Sequence, residues 1–541
     1  MNSIRSSSAT EKALQAHDVL YEVFAHVKAQ IDFSASQPEP NVDWRKTTLL
    51  SAALTCEAFR WPALKFLWQD VPSFDSLFYV LSSSIKVVHW YDKPRPVVSF
   101  MDGTWTTVSP ITDRERERMR TYARFINTMC LRISYPIDST VFRSLADAGL
   151  CAPLAPCLHT VYGEHGWHQM DEALILLGGS SFRKLELNLS HLSDRLGPRM
   201  PNILGRLCAA APNIEKFAVS QHGHVTYSMC ALASLKNLRV LDLSMVTGSI
   251  CHHTDLIPAL ASLEHLEELS IPDTSDDRIA GSGTFVPCAG FTRLRKLGVI
   301  GGLSTLPMLF ANLPDLRLKD LRFARLERRD LSFFHQIIQS CSHKQRLSIE
   351  VLHVHYISGS NRAVPLVPDI SPLFKLPNIQ EFSVAAQEVC LIDDAGFRAI
   401  GEAWPNLVSL NLQCYPLMET EPAAPTVHGI VMLMARCLNL RTISLPSIRL
   451  VRENRIVEPP FLVTGHRWLP HCYNLPDDWI SGIDVGRLVD MLWPLFGVVY
   501  TEESNSSLKL FSDKWSIVLH EMALAQKEHQ ALRSRRMDMI A

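Results

Sequence analysis

From about residue 126 onward one spacing of apolar positions recurs: an apolar residue, two of any kind, a second apolar residue, one of any kind, and a third. It runs Ile126/Met129/Leu131, Phe182/Leu185/Leu187, Ile214/Phe217/Val219, Leu238/Leu241/Leu243, Leu266/Leu269/Ile271 and Leu294/Leu297/Val299. It continues as Leu318/Leu321/Phe323, Ile349/Leu352/Val354, Ile379/Phe382/Val384, Leu407/Leu410/Leu412 and Leu440/Ile443/Leu445, with a weaker copy at Leu158. The last two positions alternate as side chains do along a strand, so each phrase predicts a short strand with one buried face. Between Phe182 and Leu440 successive phrases begin 24 to 33 residues apart, the shortest steps being Ile214 to Leu238 and Leu294 to Leu318 and the longest Leu407 to Leu440. Helical spacing precedes several phrases, as in Ile203, Leu204, Leu207 and Cys208, or Phe397, Ile400 and Trp404. A turn such as Ala211-Pro212-Asn213, Leu313-Pro314-Asp315, Leu376-Pro377-Asn378 or Trp404-Pro405-Asn406 then ends the helix, because proline cannot continue it. The repeating unit is therefore helix, turn, strand.

These phrases resemble the leucine-rich-repeat family over residues 126–500. The resemblance implies an α/β solenoid, a curved parallel sheet with convex helices. Each strand would centre on the middle apolar residue, with Leu241, Leu269, Leu297 and Leu410 inward. The family's Asn or Cys three residues after the phrase is not regular here, where Val246, Thr274, Gln387, Tyr415 and Ile448 stand. The alternate strand positions project from the concave face and form a candidate partner-binding surface: Lys184, Glu186, Asp242, Glu268, Lys296, Asp320, Arg322, His353, His355, Glu381, Asn411 and Gln413. Charges of both signs there suit a protein better than a polyphosphate backbone.

Residues 11–81 do not follow the repeat. Val19, Leu20, Val23, Phe24 and Val27 share one helical face behind a capping Asp18. A polar insertion, Asp32 to Lys46, separates this helix from a second through Leu49, Leu50, Ala53 and Leu54, and a third follows Pro62. Three short helices cannot hide so many large apolar side chains among themselves, which leaves surface for a neighbour.

The run from Ala53 to Leu64 with Leu67-Trp68, and Asp18 to Val27 before it, resembles the F-box, and the combination with the repeats is similar to the F-box-like proteins of mushroom-forming fungi. Gln15-Ala16-His17 stands where that family usually has Leu-Pro. The resemblance implies a small all-α F-box-like segment that docks on the adaptor of a cullin-RING ubiquitin ligase while the repeats bind a protein substrate. By resemblance, Leu20, Val23, Phe24, Leu50, Leu54, Cys56, Phe59 and Trp68 form or support the adaptor-facing surface. Two alternatives stand beside this: a helical cap that seals the first repeat, and a protein-binding scaffold without ubiquitin chemistry. The expected organisation is 11–81 F-box-like, 82–125 connecting, 126–500 repeats and 501–541 a capping helix and tail, with Trp515, Val518, Leu519 and Met522 on one face of that helix. Val451 to Asp484, rich in Pro, Trp and His, reads as a long loop, and Asp113 to Arg120 as a solvated helix face.

Composition narrows the rest. The 541 residues exceed a single core, and 47% apolar with 20% charged residues is ordinary for a folded chain. A net charge of -2, from 53 basic and 55 acidic residues, argues against nucleic acid as partner. No apolar run of signal or membrane-spanning length occurs, and thirteen scattered cysteines without Cys-x-x-Cys predict reduced thiols, so an intracellular protein, cytoplasmic or nuclear, is expected. Cys151, Cys157, His159, His165 and His168 cluster without zinc-like spacing, and Cys251-His252-His253 is weaker. No motif of nucleophilic, nucleotide-binding or metal chemistry is found. The expectation is a non-enzyme with no catalytic site, metal or cofactor.

Overall fold

The computed structural model describes residues 17–29, 44–89, 103–163, 170–189, 200–221, 229–246, 256–273, 290–301, 303, 306, 309–310, 316–326, 333–356, 364–386, 390–414, 425–445 and 471–472. The chain divides into two compact units, Met1–His265 and Leu266–Ala541.

The first unit opens with helices α1 (His17–Ala29), α2 (Trp44–Thr55) and α3 (Glu57–Gln69). Leu20 and Phe24, one turn apart on α1, meet Leu49, Ala53 and Ala63 in a small closed core. Cys56 breaks α2 from α3 with an extended backbone (φ -156°), and its carbonyl accepts the Phe59 and Arg60 amides that the new helix leaves free. Helix α3 runs straight into strand β1 (Asp70–Val71), where Lys28 of α1 pairs with Asp70 at 2.6 Å.

Strand β1 starts a parallel sheet with β4 (Thr128–Cys130), β5 (Thr160–Gly163), β6 (Lys184–Asn188), β7 (Lys216–Gln221) and β8 (Val240–Val246) in that order. A hairpin of β2 (Ile85–His89) and β3 (Gly103–Thr107) and helix α4 (Asp75–Val80) lie between β1 and β4 in sequence. Helix α5 (Asp113–Ala123) follows, begun by a capping box in which Thr112 and Glu115 satisfy each other's backbone amides. Helices α6 (Ser139–Asp147), α7 (Met170–Leu177) and α8 (Met200–Ala210), a 3-10 turn (Cys230–Ser234) and α9 (Leu256–Ala261) carry the chain back between and after the remaining strands.

In the second unit β9 (Glu268–Asp273), β10 (Lys296–Gly301), β11 (Asp320–Leu326), β12 (Val351–Tyr356), β14 (Glu381–Ala386), β16 (Ser409–Cys414), β17 (Thr442–Leu445) and β18 (His471–Cys472) form parallel neighbours. A two-stranded pair, β13 (Val364–Pro365) with β15 (Cys390–Leu391), sits outside that sheet. The returning helices are α10 (Phe333–Ser340), α11 (His343–Ser348), α12 (Leu366–Ile370), α13 (Asp394–Ala403) and α14 (Val427–Arg436).

Every phrase read in the sequence is a strand, including the weak copy at Leu158. The middle apolar residues stack in register, Leu185 beside Phe217 and Leu241 in the first unit, and Leu269, Leu297, Leu321, Leu352, Phe382, Leu410 and Ile443 in the second. Leu241, Leu269, Leu297 and Leu410 are all buried. The strands are not centred on these residues, however: β9, β10 and β16 each begin one residue before. The first apolar residue of a phrase closes the preceding turn instead, as the Phe182, Ile214, Leu238, Leu294, Leu407 and Leu440 amides do by donating to the carbonyl three residues before. The sheet also starts at β1, earlier than residue 126. The missing asparagine ladder reappears before the strand: Asn213 Nδ2 donates to the Ser180 carbonyl at 3.0 Å, Asn237 Nδ2 to Asn213 Oδ1 at 3.0 Å, and Asn378 Nδ2 to the Leu347 carbonyl at 2.7 Å. At these three turns the asparagine tethers the turn to its predecessor. The expected capping helix at 501–541 lies outside the described residues, as does all of the loop at Val451 to Asp484 except β18.

Candidate protein-binding faces

The first candidate is the outer surface of the three helices. Correcting the sequence reading, Leu20 and Phe24 offer nothing to a partner: they are 3% and 5% exposed and form the core of the segment. Phe59 packs edge-on against Phe24 at 5.9 Å. Trp68, half-buried, stacks on Tyr122 of α5 at 4.7 Å and 5°, which joins the helices to the start of the repeats. Val23, Leu50 and Leu54 remain outside at 50%, 48% and 78% exposure, joined by Val19 at 45%, and Cys56 is exposed as well.

The second candidate is the sheet face of the first unit, away from the buried leucines. Tyr162, Glu186, Ala218 and Asp242 lie in one register row across β5 to β8. Lys184 and Lys216 both donate to Glu186, at 3.1 and 2.9 Å, and Lys184 also reaches the Tyr162 hydroxyl at 3.1 Å and lies 4.9 Å from its ring centroid. Burial pushes the Glu186 carboxyl up, but the two ammonium groups outweigh it and hold it below its usual range; for Lys184, burial is likewise overcome by Tyr162 and Glu186, and its value is raised. A depression of about 330 Å³ opens beside them, lined among others by Ser220, Ser244 and Met245. The pairing of β7 with β8 slips between Ala218 and Ser220, a bulge that presents Ser244 and Met245 to this depression.

In the second unit Glu268 pairs with Lys296 at 2.7 Å, and Arg322 grips Asp320 with Nε and Nη2 at 2.7 to 3.1 Å. Asp320 is 5% exposed, so Arg322 shields it from water and its own guanidinium is held further in the charged form by the carboxylate. His353, beside Arg322 in register, is pushed down by burial and then by that guanidinium, against the pull of Asp320 and Glu381. His355 and Asn411 are half-buried on this face and Glu381 is exposed; the Gln413 side chain lies outside the described residues. Asp320→Asn leaves Arg322 without its anion and is expected to lower stability by about 1–2 kcal/mol, read as a shift of the urea midpoint with unchanged slope. A midpoint equal to the parent's would show the pair to be energetically idle.

Among the described residues no three His, Cys, Asp or Glu side chains are placed to hold a metal ion. His165, His168 and Cys251 to His253 lie outside them, while His159 Nδ1 sits 2.6 Å from the Cys157 carbonyl. No helix among the described residues is long and apolar enough to cross a membrane. Sequence reasoning missed Tyr162, Lys216 and Ala218, although their positions in the phrases at Leu158 and Ile214 were there to be read.

Parallel strands stacked in register, each returning through a turn to the next, define both units as α/β leucine-rich-repeat arrays. No known family profile matches the chain, and no curated protein does. Solved structures that it resembles include a TLR13–ssRNA13 complex, at 14% identity and TM-score 0.31 over 62% of this chain and 38% of that one. A Toll–Spatzle complex from Drosophila follows at 14% identity and TM-score 0.28, over 67% and 36%. The leucine-rich-repeat ectodomain of the receptor kinase GASSHO1/SCHENGEN3 from Arabidopsis thaliana, bound to CASPARIAN STRIP INTEGRITY FACTOR 2, matches at 12% and 0.23, over 66% and 46%. The chain thus spans 36 to 46% of the length of these proteins.

Proposed function

We propose that this chain is a non-catalytic substrate-recognition subunit of a cullin-RING ubiquitin ligase. Its three helices would dock on the small ligase adaptor and its repeats would hold a protein substrate in the cytoplasm or nucleus. The observation that carries the reading is the exposure of Val19 and Val23, one turn apart on α1, and of Leu50 and Leu54, one turn apart on α2, on helices whose own core is already closed. Polar rows of mixed sign on the sheet faces fit a protein partner, with no nucleic acid or membrane surface called for.

The test is co-purification with the ligase adaptor. Val23→Glu combined with Leu54→Glu places charge among the exposed apolar residues of both helices, at positions where substitutions cost little stability. Adaptor recovery is expected to fall tenfold or more with the melting temperature of the repeats unchanged. Two observations favour a second reading, a repeat scaffold capped by these helices: the Trp68–Tyr122 stack and the direct run of α3 into β1 both join the helices to the repeats. If the parent chain never retains the adaptor, that scaffold reading replaces the ligase one.

A further inference from the structure

The depression in the first unit holds two carboxylates with different surroundings. Glu186 is neutralised twice, by Lys184 and Lys216. Asp242 is not: its Oδ1 accepts the Ser244 amide at 2.9 Å, and among the described residues no cation pairs with it. Between these two carboxylates in the register row stands Ala218, whose small side chain leaves a notch. The backbones of Glu186 and Asp242 are two strand spacings apart, roughly 9.5 Å. The Ser220 hydroxyl, loosely held to the Leu187 carbonyl at 3.5 Å, retains free acceptor capacity at the rim.

We propose that this notch is a subsite for an arginine side chain presented by the partner protein, a reading that rests on the repeats being a protein-binding face. The guanidinium would pair with Asp242 through two parallel N–H donors and offer its remaining donors to the serine hydroxyls, while the Met245 side chain lies against its methylenes. A lysine ammonium is a compact point charge and lacks the planar fork that spans such spread acceptors. An anionic side chain fits worse, since both lysines are already held by Glu186 and the anion would face Asp242. The volume of about 330 Å³ accommodates one long side chain and its backbone.

The test uses the full chain and two fluorescent pentapeptides, acetyl-Gly-Ser-Arg-Ser-Gly and its citrulline counterpart, which keeps the length and planar shape of arginine but has a carbonyl oxygen in place of one nitrogen and no charge. The arginine peptide is expected to bind about tenfold more tightly. Asp242→Asn, whose amide oxygen can still accept the Ser244 amide, should reduce its affinity to the citrulline level. Ala218→Leu, which fills the notch and keeps every charge, should do the same. Equal affinity for the two peptides, or a parent-like arginine preference in either folded variant, overturns the proposal. Adaptor co-purification is followed in the same preparations: its loss in the parent with arginine preference intact would defeat the ligase reading alone, and its retention without arginine preference would defeat the subsite alone.

Discussion

Leu410→Asp is expected to abolish cooperative folding of the second unit. Leu410 has no exposed surface and sits in register between Phe382 and Ile443. The substitution removes a buried leucine, worth about 2–5 kcal/mol on truncation, and adds the cost of a carboxylate with no partner. The total, about 5 kcal/mol or more, approaches the whole stability of an ordinary domain. Ser383→Asp supplies the control, because Ser383 lies on the opposite face beside His353 and Asn411 and its replacement is expected to cost less than about 1 kcal/mol. Hydrogen exchange across β14, β16 and β17 reads both. Comparable protection in Leu410→Asp and the parent would place that leucine outside the core.

The second large effect belongs to Glu115. Its carboxylate, 4% exposed, accepts from the Ser83 amide at 3.2 Å, the Ser83 hydroxyl, the Ser84 hydroxyl at 2.7 Å, and the Thr112 amide and hydroxyl at 3.1 and 2.9 Å. One side chain therefore ties α5 to the turn after α4. Burial pushes its value up, yet the bonds from Ser83, Ser84 and Thr112 prevail and lower it to about 2 from 4.5. Glu115→Ala strands these donors and is expected to cost about 3 kcal/mol. Because the folded state holds the carboxyl below its unfolded value, the charge stabilises the fold above pH 4.5 and that contribution disappears as pH falls toward 2. The melting-temperature gap between the parent and Glu115→Gln should be constant from neutral pH to 4.5 and close below it. A gap that widens on acidification would contradict this account.

The strands were legible because each phrase couples large apolar residues to an alternation of period two, a signal that survives insertions between phrases. Strand β1 escaped because Asp70–Val71 is too short to alternate. On α1 the apolar stripe reads Val19, Leu20, Val23, Phe24 and Val27, wider than one helix contact. The neighbours α2 and α3 cover the Leu20 and Phe24 edge and leave Val19 and Val23 outside, which periodicity cannot decide. The stacking of Trp68 is not legible locally for a related reason: its partner Tyr122 lies more than fifty residues along the chain. The depression beside Asp242 depends on a one-residue slip between β7 and β8 that no local residue preference announces.

The in-register pairing sets which changes of chain length a lineage can absorb. Since Leu352, Phe382 and Leu410 are successive partners, loss of residues 382–409 would join Glu381 to Leu410 and lay Leu410 against Leu352 with inward and outward positions preserved. Loss of a single residue inside β14 would turn Ser383 inward and Val384 outward. Changes of length are therefore tolerated in whole strand-to-strand steps or between the phrases, where the spacing already varies from 24 residues (Ile214 to Leu238) to 33 (Leu407 to Leu440).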